Sequence, residues 1–210
     1  MRRLPLIALL LPALLAGCGG SSSGSTTATS AGTVATNPVV APAQEQAAET
    51  KARATHVAIG SPSDVPRSKG GDNSVQNFGG EASNADLRAA AGVLAAYLDA
   101  YGAGDAQTAC GLLAPATAQT LVQSFGKLAQ RSGGSAPKDC IGLLQAMTAQ
   151  TAGPRTRAQI RVAEALSLRD AGDRAFLIYR AGDGRVYAMP MSRQASSWRV
   201  AGIAAAPLEA

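Results

Sequence analysis

Ile160-Arg161-Val162-Ala163-Glu164-Ala165-Leu166-Ser167-Leu168 alternates large apolar with polar or small residues, the period of a strand with one buried face. Asp170 to Asp173 supply a turn, and Ala175 to Arg180 read as a second strand. Ala181-Gly182-Asp183-Gly184 is a hairpin signal, because glycine takes positive φ without steric cost. Arg185 to Met191 make a third strand, disturbed at its end by Pro190. Ser196-Ser197 turns the chain into a fourth, Trp198 to Ile203. Consecutive hairpins predict a four-stranded, curved antiparallel meander with one face covered.

Upstream of Gly153-Pro154 the period is helical. Ser83 or Asn84 caps a helix with Asp86 in its first turn and Leu87, Ala91, Leu94, Leu98 and Tyr101 at three- and four-residue spacing, ending at Gly102. Asp105 caps a short helix with Cys110, Leu112 and Leu113. Pro115 opens a third, whose apolar face is Leu121, Val122, Phe125 and Leu128, stopped by Gly133-Gly134. Pro137 starts a fourth, with Cys140, Ile141, Leu144 and Met147 on one side. Helices followed by strands predict an α+β domain over residues 84–210, large enough for one core.

Ahead of it, residues 19–83 begin Gly-Gly-Ser-Ser-Ser-Gly-Ser-Thr-Thr and contain Pro38, Pro42, Pro62 and Pro66 but few large apolar side chains. Such composition does not offset ordering entropy, so a disordered tether is expected, with at most a transient helix over 43–54. His56, the single histidine, lies in this stretch and reads as a spectator. Residues 1–17 join Arg2 and Arg3 to a thirteen-residue apolar run from Leu4 to Ala16, too short to span a bilayer and shaped like a secretory signal.

Leu15-Ala16-Gly17-Cys18 ends that run and resembles a bacterial lipobox, in which the cysteine becomes the lipidated first residue of the mature protein. The resemblance implies a diacylglycerol on Cys18 and persistent anchoring on the extracytoplasmic face of the cell membrane. It implies the outer membrane if the organism is diderm, since Gly19 carries no retention signal. Export to an oxidising compartment makes a Cys110–Cys140 disulfide the default, worth about 3.5–4 kcal/mol in the chain-entropy model. Two buried free thiols are the alternative.

The domain 84–210 holds 13 basic and 9 acidic side chains, net +4. Its arginines are spread along the last third without stacking aromatics, which reads as a solvated sheet face and points away from nucleic acid. Contact with anionic head groups or wall polymers stays open.

Leu94 to Tyr101, then Gly104-Asp105 and Cys110, and the closing Ser197-Trp198-Arg199-Val200 resemble actinobacterial lipoproteins with a cone-shaped, nuclear transport factor 2-like α+β domain. Relatives of that shape include isomerases, dehydratases, cyclases and plain binding modules. The resemblance implies a His/Asp or Asp/Tyr arrangement in enzymes of this shape; the domain has no histidine, the commonest general base, and the sequence shows no metal-ligand cluster and no phosphate loop.

Glu164, in register with Ile160, Val162, Leu166 and Leu168, would point into the cone on an uninterrupted strand. There Tyr97, Tyr101 and Trp198 would line a pocket with it. A bulge at Ala163-Glu164, or an ion pair with a strand arginine, would turn it outward instead. Tyr97, Tyr101, Tyr179, Tyr187, Met189 and Met191 serve equally well as packing. The reading inclines to a non-catalytic module of the cell envelope, without cofactor or metal, that binds an apolar small molecule or an envelope protein. Its alternatives are an isomerase- or dehydratase-like enzyme using Glu164 and a structural homodimer.

Overall fold

The computed structural model describes residues 42–69, 71–150 and 161–208, all within one compact unit, Asn37–Ala210. The signal-like run, Leu15 to Cys18, the first part of the expected tether, Gly153-Pro154 and Ile160 lie outside the described residues.

The architecture is α+β. Five helices occur among the described residues: α1 (Pro42–Ala54), α2 (Asn84–Ala103), α3 (Ala106–Leu112), α4 (Pro115–Arg131) and α5 (Cys140–Gln150). Four long strands follow in meander order, β3 (Val162–Ala171), β4 (Arg174–Ala181), β5 (Val186–Gln194) and β6 (Ser197–Val200). The expected count of four becomes seven among the described residues. Two-residue strands β1 (Ala58–Ile59) and β2 (Gly80–Glu81) pair with the free edge of β3, and β7 (Ala206–Pro207) pairs with β5. β1 runs parallel to β3, so the curled sheet is mixed. Strands of two residues are too short to leave a periodic signal in sequence.

The chain before residue 84 is also corrected. Where a tether was expected, residues 42–83 hold α1, β1, a single 3-10 turn (Pro62–Asp64) and β2. Ala48 and Ala52 of α1 are buried in the main core, whose small side chains permit close helix approach. Beyond them, Val65 and Val75 cover a second cluster on the other sheet face, formed by Leu166, Ile178, Val186 and Ala188. Phe78 sits edge-to-face on Phe176 at 5.0 Å. Glu81 accepts hydrogen bonds from the Ser167 hydroxyl (2.7 Å) and the Leu168 N–H (3.2 Å), and Arg169 donates to the carbonyls of Phe78 and Gly79. The apolar content of this stretch is low, but composition does not show that a few such residues suffice when a finished sheet face receives them.

α2 is capped as expected at its start, with the Ser83 side chain accepting from the Asp86 N–H; it runs past the expected end at Gly102 to Ala103, where Gly104 in the left-handed conformation closes it. It is more than amphipathic. Leu87, Ala90 to Leu98 and Ala100 are all buried, because α1, α3 and the sheet surround it. Cys110 of α3 and Cys140 of α5 form the expected disulfide, with Cα atoms 6.0 Å apart. α5 begins at Cys140 rather than Pro137, because the Asp139 carboxylate accepts from the Gly142 N–H at 2.7 Å and sets the start there.

β3 does not alternate simply. Its pairing with β4 slips between Val162 and Glu164 and again between Ala165 and Ser167. Each slip resets the faces. Val162, Ala165 and Leu168 meet the helices, whereas Leu166 joins the opposite cluster.

Candidate functional site

A cleft of about 370 Å³ opens between the second half of α1, the first turns of α2 and the β5–β6 turn with β6. Its apolar wall includes Ala52, Val57, Val93 and Trp198; Arg88 and His56 stand at its polar side. His56, expected to be a spectator, therefore lines the cleft, because residues 42–59 fold back onto α2 instead of trailing away.

The cleft is built by a chain of polar contacts. The Ser83 hydroxyl donates to Asp86 at 2.8 Å while accepting from the Asp86 backbone N–H at 3.1 Å, which fixes the start of α2. Arg193 of β5 donates to Asp86 at 2.7 Å, approaches Asp170 at 3.6 Å, and lies 4.5 Å over the Trp198 ring. Hydrogen bonding from Ser83 chiefly, with Arg193 and Trp198 adding to it, holds the Asp86 carboxyl below the usual range against the opposing effect of burial. Trp198 is thereby held by a cation over its ring and by its hydrogen bond to Asp86 at the start of α2.

At the cleft's other end, Arg199 is only 4% exposed and donates to Glu49 of α1 at 2.6 Å. A buried guanidinium requires such a carboxylate, and this pair ties β6 to α1. The expectation that the arginines form a solvated sheet face is corrected at four positions. Arg169, Arg180, Arg193 and Arg199 each hold a carboxylate.

The four residues expected in one pocket are not brought together. Trp198 lines the cleft, which includes none of the other three. Tyr97 is fully buried in the helix–sheet core, and its ring stacks on half-buried Tyr101 at 6.1 Å. The Tyr97 hydroxyl finds no hydrogen-bond partner among the described residues, and burial pushes its acidity far toward the alkaline side. Glu164 shares the sheet face of Leu166, away from Tyr97, where Arg180 donates to it at 3.3 Å. The first slip in β3 and the strand arginine act together to place it there. Met189, Met191 and Tyr179 are core residues.

Sequence reasoning missed His56, Arg88 and Glu49. A signal existed only for Glu49, which sits four residues after Glu45 and near Ala48 and Ala52 in a helix-favouring stretch. Among the described residues no group of three or more His, Cys, Asp or Glu is arranged to hold a metal ion. No described helix is long and apolar enough to cross a membrane. Compared with family models, curated proteins and solved structures, the chain finds no match.

Proposed function

We propose that this protein is a lipid-anchored, extracytoplasmic module of the cell envelope that binds a small amphiphilic ligand without chemically changing it. The observation that carries the reading is the cleft, with the Trp198 ring clamped in its apolar wall and Arg88 and His56 at its polar side. An apolar body with one acidic group matches that lining. Helices laid on a curled sheet support the further reading of the domain as nuclear transport factor 2-like. Glu164, the acid an isomerase- or dehydratase-like reading would use, is engaged by Arg180 on the other face.

The anchor rests on Leu15-Ala16-Gly17-Cys18 after a basic start and a short apolar run. Between Cys18 and α1 the sequence is rich in Gly, Ser and Thr, a composition suited to a tether. Cells fed an alkyne fatty acid should label the protein, and a Cys18→Ser chain should lose the label together with the membrane attachment that survives a high-salt wash; labelling of that variant would refute the anchor.

Ligand binding is read through Trp198, the single tryptophan. Anilinonaphthalene sulfonate, an apolar ring system with one negative charge, should saturate the purified protein and shift Trp198 emission. Ala89→Phe, at an exposed position on the cleft rim, should weaken that binding at least tenfold without lowering the melting temperature. Equal dye binding by parent and variant, with no bound small molecule in native mass spectra, rejects the cleft as a ligand site.

A further inference from the structure

α4 has the least of its surface in the core of any long helix described. Only Ala118 of its seventeen residues is buried. Leu121 and Val122 reach the core from its first half. In its second half Phe125 is half-buried, and Leu128 is 58% exposed, the one exposed large hydrophobic side chain among the described residues. Leu121, Phe125 and Leu128 follow one another at four- and three-residue spacing, so they form a stripe along one edge of the helix.

Along the chain, the charges nearest that stripe are basic, up to Asp139, whose carboxylate accepts from the Gly142 N–H at the start of α5. Between Asp105 and Asp139 the ionisable side chains are Lys127, Arg131 and Lys138, all exposed, with no acidic residue among them. Lys127 and Arg131 are one helical turn apart and flank Leu128 in sequence. After the helix the chain folds back, with the Gly134 N–H donating to the Ala129 carbonyl at 2.8 Å and Ala136 lying beside Gly126. That return brings the segment leading to Lys138 alongside the same end of α4.

We infer that the C-terminal half of α4 docks the domain on an anionic lipid bilayer, with Leu128 and Phe125 entering the interface and Lys127, Arg131 and Lys138 at the phosphate level. An apolar edge rimmed by cations is what such a surface recognises. Each cation near anionic head groups raises partitioning about fivefold, so three together contribute on the order of a hundredfold. A second copy of the chain is disfavoured as occupant, because a two-fold contact would set these three cations against their own equivalents. The inference does not rest on lipidation of Cys18, since a peripheral helix binds with or without an anchor.

The test places a reporter at the stripe. In the full chain, Leu128→Trp should give a blue-shifted emission component with phosphatidylcholine vesicles containing one quarter phosphatidylglycerol. Pure phosphatidylcholine should give none, and 0.5 M salt should reverse the shift. The parent chain, whose Trp198 is buried, supplies the background. Adding Lys127→Glu and Arg131→Glu should raise the half-saturating lipid concentration at least tenfold. Hydrogen exchange on the unsubstituted chain should show α4 amides slowed by the anionic vesicles alone. An apolar leader or a lipid anchor would bring the chain to both vesicle types without this selectivity. Emission unchanged by anionic vesicles, an equal shift on both vesicle types, or a blue shift without vesicles that disappears on dilution would each overturn the inference, the last in favour of a second copy.

Discussion

A Cβ placed on Gly92 would lie 2.7 Å from the Ala52 carbonyl oxygen and 3.3 Å from that of Thr55. Both are backbone atoms at the end of α1, so neither swings aside as a side-chain tip would. The contact matters because the cleft's floor is the crossing of α1 over α2, secured further along by the part-buried Glu49–Arg199 pair. Helix propensity alone says that Gly92→Ala should stabilise α2 by about 1 kcal/mol. Overpacking against backbone opposes this and typically costs about 1–3 kcal/mol. The steric effect wins where the neighbour is a carbonyl that α1 must move to relieve. Gly92→Ala is therefore expected to lower stability by about 1–2 kcal/mol in urea unfolding and to weaken anilinonaphthalene sulfonate binding. A gain in stability would show that α1 is not seated on α2 in solution.

Among the elements, α3 and α5 are joined by the Cys110–Cys140 disulfide, and the junction of α3 with α4 is tied to the sheet by the Ala114 N–H donating to the Val200 carbonyl at 2.8 Å. Closing a loop of thirty residues removes unfolded-state entropy worth about 3.5–4 kcal/mol. Cys110→Ala with Cys140→Ala should lower the melting temperature by roughly 10 °C. A reducing agent should produce the same drop in the parent and none in the variant, as followed by circular dichroism. The staple was legible in sequence because cysteine chemistry depends on compartment more than on exact geometry. The same holds for α2 and α3, whose caps Ser83 and Asp105 sit where side chain and backbone make a local bond. The β3 slips were not legible in position, since they depend on which residues of β4 are opposite. That is why Glu164 could be weighed both ways from sequence, and why only its actual neighbour, Arg180, decides. α1 was legible as a helix-favouring stretch but not as a buried one. Its anchoring needs Arg199, 150 residues away, and no local pattern contains that information.

At the scale of the whole molecule, the two buried tyrosines make the domain's response to alkali a test of the packing of helices on sheet. Burial is the largest influence on both Tyr97 and Tyr179, and the neighbouring phenols Tyr101 and Tyr187 reinforce it; both groups are held protonated well above the ordinary phenol range. In the unfolded chain each would release its proton near pH 10. Between that pH and the raised folded value, the unfolded state binds fewer protons than the native one, so stability falls as pH rises. Below pH 10 both states are protonated and these groups leave stability unchanged with pH. Spectrophotometric titration near 295 nm should accordingly show part of the tyrosine absorbance missing from the first, reversible step. The missing part should appear only with cooperative unfolding, at the pH where near-ultraviolet circular dichroism collapses. Tyr97→Phe removes the hydroxyl that lacks a partner among the described residues, and it should move that collapse to higher pH while slightly raising stability at pH 7. If all four tyrosines titrated together near pH 10 with the circular dichroism intact, α2 would not be packed on the sheet as described, and the cleft it helps to wall would not exist in solution.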